Sequence, residues 1–392
     1  MAINSIETTL KYSEELDKLF SQKSATGFFA DNDFGKKFVG AKTVIVPDID
    51  FQGLANYNRD TGFSRGAITV SNTAYTMQMD RARSLQIDRE DMDETGIASL
   101  AGKILGEYVR TKVIPECDAY VLSKLSTIAA DNGNIVKFDV ENPYKSFCEI
   151  INNVRSVVGY DEELVAFVNS GVYAVLQNST EISKLIVSSD FKQGDVNLSV
   201  KSINGVALIP VVDERMKTEF EFKSGAVGGF EAYGNARDIY MLVCPKKAAH
   251  LVKKTENMRV FTPEQNVDAD AYKFDYRIYY DVFVKTSEID SIWASLSPEA
   301  FVDMGPDRNE IVIGDGVTAD AYVTTNAKSV TYQWFVGDTP NIKKATEIEG
   351  ENGSSINYCF DSPGVYYIFV KVTIDKIKTV VCDTGAITVT EG

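Results

Sequence analysis

Residues 92–131 read MDETGIASLAGKILGEYVRTKVIPECDAYVLSKLSTIAAD, and their apolar spacing predicts one very long amphipathic helix. Ile97, Leu100, Ala101, Ile104, Leu105, Tyr108 and Val109 recur at i, i+3, i+4, i+7 and i+8, which places them on one face. Asp91, Asp93 and Glu94 crowd the first turn, where carboxylates oppose the positive end of the helix dipole. Pro115 lacks an N–H and collides with the preceding turn. The stripe nevertheless resumes at Cys117, Tyr120, Val121, Leu125 and Ile128, so the pattern predicts a kink and not a stop. Asn132-Gly133 supplies the C-terminal cap. At about 1.5 Å per residue the rod spans roughly 55 Å, longer than a compact domain and suited to tiling a surface.

Upstream, residues 5–20 carry Ile6, Leu10, Leu16, Leu19 and Phe20 among charges, a short amphipathic helix. From 24 to 57 the pattern loosens into an extended arm with too few apolar residues for a core of its own. Turn residues at 58–62 and 64–66 precede AITVSNTAYTMQMDRARSLQID, whose alternation (Ile68, Val70, Tyr75, Met77, Met79) reads as strand with one sheltered face. The expectation is a projecting hairpin over 57–80. A two-stranded hairpin is marginal alone in water, so it must lie on something, and in a self-assembling protein that is the neighbouring subunit.

Downstream, 143–158 reads as a helix (Tyr144, Phe147, Ile151, Val154), LVAFVN as a buried strand and 171–178 as another helix. INGVALIPVVD is a strand broken by Pro210, and 239–244 one stopped by Pro245, closing an α/β block over 142–245. Tyr276, Ile278, Tyr280, Val282 and Val284 then alternate with Asp275, Arg277, Tyr279, Asp281 and Phe283, a long strand with one apolar face, paired with Arg259-Val260-Phe261 and returning to pack on the long helix. Residues 297–306, with two prolines and a glycine, read as a linker. Beyond them VTADAYVTT, VTYQWFVG, SINYCF, GVYYIFVKVTI and GAITVT keep the beat of a β-sandwich.

Composition narrows the function. A chain of 392 residues usually divides into two or three domains, and 44% apolar residues supply ordinary cores. A net charge of −16 without basic runs argues against a dedicated nucleic-acid groove. Five scattered cysteines with no CxxC pair fit free thiols in a reducing compartment. The N-terminus lacks the pattern of a secretory signal, and the apolar runs fall short of the ~20 residues that cross a bilayer, so a soluble cytoplasmic product is expected.

Three pieces carry a family resemblance: DRARSLQIDREDMDET, GEYVRTKVIPECDAYVLSKL, and KKTENMRVFTPEQNVDADAYKFDYRIYYDVFV. With the preceding hairpin, they resemble tailed-phage major capsid proteins of the Hong Kong 97 fold over most of residues 1–300. Asp80-Arg81, Asp88, Asp93-Glu94-Thr95, Arg110, Pro115-Glu116 and Asp118-Ala119-Tyr120 are the most specific matches. The resemblance implies an α+β chain with an N-arm (1–56), extended loop (57–80), spine helix (92–131), axial domain (142–245) and a peripheral strand returning over 255–290. After this shell domain (1–305), residues 306–392 resemble an immunoglobulin-like domain without its disulfide, with Trp334 on the central strand and Tyr366 where the tyrosine corner stands.

The implied function is an icosahedral head shell, with no enzyme activity and no cofactor. Its partners would be further copies in hexamers and pentamers, a separate scaffolding protein, a portal and packaged double-stranded DNA contacted non-specifically, with no membrane. Assembly in the host cytoplasm and residence in the virion follow. Candidate assembly contacts are Arg59, Arg65, Arg81, Asp88, Asp93, Glu94, Arg110, Pro115, Asp118 and Arg277. Two departures stand out: the arm is too short for a fused scaffolding segment, and no lysine lies between Thr43 and Gly102 to cross-link the extended loop. A nanocompartment shell of the same fold is the alternative, and a surface or adhesin-type binding protein a weaker one.

Chemical readings of single motifs give way to plainer ones. The acidic run Asp88, Glu90, Asp91, Asp93 and Glu94 reads as a helix N-terminus with ion pairs to Arg81, Arg83 and Arg89 before it reads as a metal site. His250, the single histidine, has no accompanying Ser or Cys motif and reads as a packed or surface residue. SGAVGGF lacks the Lys-Ser/Thr of a phosphate loop, and the tyrosines near 276–280 are explained by strand alternation.

Overall fold

The computed structural model describes residues 24–30, 38–39, 42–57, 59, 62–63, 65–90, 106–179, 187–193, 196–234, 236–298, 300–325, 327, 329–375 and 378–391. The helix read at 5–20 and the first part of the long helix, with Asp93 and Glu94, lie outside them. Strands dominate, with few helices.

Strand β1 (Phe38–Val39) pairs antiparallel with β2 (Thr43–Phe51), and β2 pairs with β3 (Ile68–Thr76) from Thr43↔Thr76 to Phe51↔Ile68. The projecting hairpin is therefore set further back than the 57–80 expected: residues 43–51, read as part of the arm, are its first strand. β4 (Met79–Asp88) follows after Met77-Gln78 and joins another sheet. Helix α1 (Ile114–Asp131) is entered through a π-helical turn, Val109–Val113. A proline ring inside a regular helix would meet the carbonyl four residues earlier, here that of Thr111; the widened turn falls at that point, so the chain passes Pro115 without stopping. Gly133 (φ 73°) ends α1 in the left-handed region, and the Asn134 amide donates back to the Ala129 carbonyl at 2.8 Å.

Next come α2 (Pro143–Val158), β5 (Leu164–Asn169), and α3 (Ser170–Asn178), whose N-terminus the Asn169 side chain caps by accepting from the Val172 amide at 2.8 Å. β6 (Val187–Gln193), β7 (Val196–Ile203), β8 (Val206–Val211), β9 (Phe220–Phe222), β10 (Phe230–Ala232), β11 (Ile239–Pro245), β12 (Ala249–Phe261), β13 (Ala271–Val284) and β14 (Trp293–Leu296) follow. A six-stranded mixed sheet has the order β14-β11-β5-β8-β7-β6. Pro210 does not break β8: β7 pairs only at Ala207 and Val206, so no ladder bond from Pro210 is needed on that side, and Pro210 lies opposite Val168 of β5. A second sheet, β12-β13-β4, pairs the long strand with the expected segment, in the register Arg259↔Asp275, Val260↔Phe274 and Phe261↔Lys273.

Two cores organise this part. One joins α1 (Ile114, Cys117, Val121, Leu125) to the even face of β13 (Tyr276, Ile278, Tyr280, Val282). The other seals α2 and α3 onto the six-stranded sheet through Phe147, Ile150, Val172 and Leu208. Tyr279, Asp281 and Phe283, on the opposite face of β13, are buried as well, because the hairpin base packs there.

The C-terminal part comprises β15 (Ala300–Pro306), β16 (Glu310–Val312), β17 (Gly316–Thr325), β18 (Val330–Gly337), β19 (Thr346–Glu347), β20 (Ser355–Cys359), β21 (Gly364–Ile374), β22 (Lys378–Asp383) and β23 (Ile387–Thr390). The stretch read as a linker is corrected here: Ala300–Pro306 is a strand, paired with β17 from Ala300↔Thr325 to Pro306↔Ala319. Its proline stands at the strand's end, where the ladder tolerates it. Sheets β15-β17-β20 and β16-β23-β21-β18-β19 enclose one core of Val317, Trp334, Ile356, Ile368, Val370 and Ile387.

Candidate assembly surfaces

The hairpin is fixed at its base and bare at its far end. Val44, Met77, Val252, Tyr279 and Phe283 form a small core under the base. Tyr75 adds a ring contact to Phe283 at 5.0 Å and donates its hydroxyl to the Val284 carbonyl at 3.0 Å. Beyond it the side chains lose cover: Phe51 is 67% exposed, Ile68 65%, Val70 59% and Phe63 90%. Tyr57 and Phe63 pack edge to face at 5.2 Å, so the connecting segment holds an aromatic pair in solvent. Arg59 and Arg65, in the same part of the chain, are both exposed. The alternating face from Ile68 and Val70 onward, read as sheltered, is half-buried at Tyr75 and buried at Met77 and Met79, while Ile68 and Val70 are exposed.

A cleft of about 1100 Å³ lies between β4, the π-helical turn and the β9–β10 loop, with Tyr108, Lys112, Phe220 and Phe230 among its walls. Arg81 is its organising cation. It pairs with Glu116 (Nε to Oε1 2.6 Å) and donates to the carbonyls of Lys223 (3.0 Å) and Gly229 (3.1 Å). Arg83 donates to Gly225 O at 3.0 Å and Ala226 O at 2.7 Å. The glycine-rich loop is thus a tight turn clamped by two arginines. Gly225, Gly228 and Gly229 all have positive φ, and a Cβ on Gly228 would stand 3.2 Å from an Arg83 nitrogen.

The candidate residues therefore scatter. Arg81, Pro115 and Glu116 meet in the cleft. Arg277 and Asp80 form an exposed pair across β13 and β4 at 2.6 Å, and the guanidinium beside Asp80 holds its carboxyl below the ordinary value of 3.8. Arg110 is taken up by Glu107 on the exposed side of the π-helical turn, and Asp88 accepts the Glu90 amide at 2.9 Å.

Asp118 is not on a surface. It is fully buried and accepts from Ser24 Oγ (2.6 Å), Thr26 Oγ1 (2.7 Å), the amides of Ala25 and Thr26, and Arg215 (3.2 Å), tying the N-terminal segment to α1. Trp334 is fully buried and donates Nε1–H to the Gly353 carbonyl at 2.9 Å. Tyr366 stacks on Phe360 at 4.6 Å, and its hydroxyl lies 2.7 Å from Ser362 Oγ. His250 is half-buried on β12 opposite Phe283. The five cysteines form no disulfide with one another, and Cys117 and Cys244 are buried. No helix among the described residues is long and apolar enough to cross a membrane.

Sequence reasoning passed over Asp281. It is buried at 0% exposure and gathers Tyr120, Lys124 and the Gln78 amide. The available signal was a single acid in YYDVFV, on a face assigned to solvent by alternation.

No family model matches the chain, and no curated protein does. Solved structures do resemble it. A chain of Mycobacterium phage Che8 aligns at 9% identity over 68% of this chain and 89% of that one, with a TM-score of 0.43. The bacteriophage PhiM1 mature capsid aligns at 15% identity over 65% and 82%, with a TM-score of 0.42. The capsid of cyanophage P-SCSP1u aligns at 10% identity over 66% and 84%, also at 0.42. Likeness at this level leaves function to the chain's own residues.

Proposed function

We propose that the chain is the major subunit of a phage head shell, built on a Hong Kong 97-type capsid fold with an appended immunoglobulin-like domain. The observation that carries this reading is the hairpin, rooted in a buried core at Met77 and Tyr279 yet presenting Phe51, Phe63, Ile68 and Val70 to solvent. Apolar side chains along a two-stranded arm need a covering surface, and a neighbouring copy supplies it in a lattice. In this reading the hairpin from Thr43 to Thr76 is the extended loop and α1 the body of the spine. The six-stranded sheet with α2 and α3 is the axial domain, and β12-β13-β4 the peripheral one.

The immunoglobulin-like part then begins at Ala300 and not at 306, since β15 is its first strand. Facing sheets around a buried Trp334, and β16 running parallel to the last strand β23, support that assignment. Hexamers and pentamers would close the shell, with a scaffolding protein, a portal and packaged double-stranded DNA as partners. Electron microscopy of the chain, expressed alone and with the scaffold, tests the proposal. Closed angular shells are expected; a folded protein that stays monomeric under both conditions refutes it.

A further inference from the structure

We infer that Asp281 is a coupling pin through which the position of helix α1 sets the direction of the hairpin. Met77 and Gln78 are the two residues between β3 and β4, so any swing of the hairpin must pass through them. The Gln78 amide donates to Asp281 Oδ2 at 2.9 Å. The other oxygen, Oδ1, accepts the Tyr120 hydroxyl at 2.8 Å, the Lys124 ammonium at 2.6 Å and the Val282 amide at 2.7 Å. Tyr120 and Lys124 stand one helical turn apart on α1. One carboxylate thus holds the helix with one oxygen and the hairpin hinge with the other.

The other hydrogen bonds described at the base run to the strands, and the helix meets the base otherwise through the Lys124 ammonium on the Phe283 ring. Met77 donates its amide to the Lys42 carbonyl at 2.9 Å and accepts from the Tyr279 hydroxyl at 3.2 Å, while Tyr75 bonds to Val284 at 3.0 Å. These bonds fasten the hairpin to β13 and to its own first strand. Asp281 bonds to α1 as well as to the hinge.

A carboxylate removed from water is costly unless donors surround it, and here four do. The Lys124 ammonium is itself held 5.5 Å from the ring centres of Tyr120 and Phe283, which limits where it can go. A displacement of α1 therefore moves Asp281, and Asp281 moves the Gln78 amide.

Hydrogen–deuterium exchange on the unassembled subunit tests this, and its outcome is independent of whether the chain builds shells. The variants are Asp281→Asn, Lys124→Met and Tyr120→Phe. The double variant Tyr120→Phe/Lys124→Met is decisive because it removes both of the helix's bonds to Asp281 and leaves the Gln78 partner in place. Hydrogen bonds to charged groups contribute enough that their loss corresponds to about tenfold faster exchange or more. That increase is expected at residues 75–80 in the double variant, with α2 and β21 unchanged. Unchanged exchange at 75–80 in the folded double variant overturns the coupling. So does a uniform increase over α1, β12 and β13, which makes Asp281 a structural carboxylate only. If Asp281→Asn fails to fold, the double variant decides by the same criteria.

Discussion

Replacing Trp334 by alanine should destabilise the C-terminal two-sheet unit and leave the stability of the rest of the chain unchanged. The indole is fully buried between the sheets, in a core drawn only from residues beyond 300. Loss of a buried tryptophan costs about 3–5 kcal/mol. The Gly353 carbonyl also loses its Nε1–H donor, adding about 1 kcal/mol. A unit of this length carries roughly 5–14 kcal/mol at ordinary stability per residue. The substitution therefore removes roughly a third of that reserve or more, equivalent to about 15–50 °C in melting temperature. Differential scanning calorimetry of the wild type should show two transitions, and Trp334→Ala should lower one and leave the other in place. Trp334→Phe, which keeps most of the apolar volume, should fall between. A single transition that moves as a whole, or a shift under about 5 °C, would refute the independent core.

Particles boiled in denaturant with reductant should run as one band at monomer mass on a gel, because the hairpin and its flanks contain no lysine from Thr43 to Gly102; a resistant ladder contradicts this. Ending the chain after Ser297 should give shells of unchanged diameter without surface knobs, whereas ending it after Pro306 leaves β15 without its partner β17 and should aggregate. Equal behaviour of the two truncations would sink that boundary. Pro115→Ala should stabilise the isolated subunit by about 1 kcal/mol or more, since it restores a helical donor, yet impair assembly by removing the reason for the π-helical turn; normal angular shells would count against it. A thiol reagent at neutral pH should label exposed Cys359 quickly and leave Cys117 and Cys244 unlabelled until unfolding. Burial shields both and pushes both thiols up, Cys244 to about 12, and rapid labelling of either in the folded protein would disprove their burial.

Elements with strong local periodicity were legible from the sequence. α2, β5, β11 and β13 stand where the spacing put them, because a 3.6- or 2-residue apolar period over a buried face leaves little alternative. Passage of the helix through Pro115 was legible too, from the stripe that resumes beyond it. Trp334, as a large aromatic in mid-strand, announced a core. The hairpin's bounds were not legible: most of its apolar residues are uncovered in the subunit, so no buried face fixes the register that period-2 alternation leaves open. Ala300–Pro306 reads as a linker until β17 pairs with it, since proline and glycine punctuate loops and strand ends alike. Asp118 and Asp281 were the least legible. Each looks like a surface carboxylate, and each is buried, because its partners come from 92–97 and 157–203 residues away in the chain. Alternation assigns faces within one strand or helix; only packing decides what covers a face, and with it whether an acid is solvated or becomes the joint between three elements.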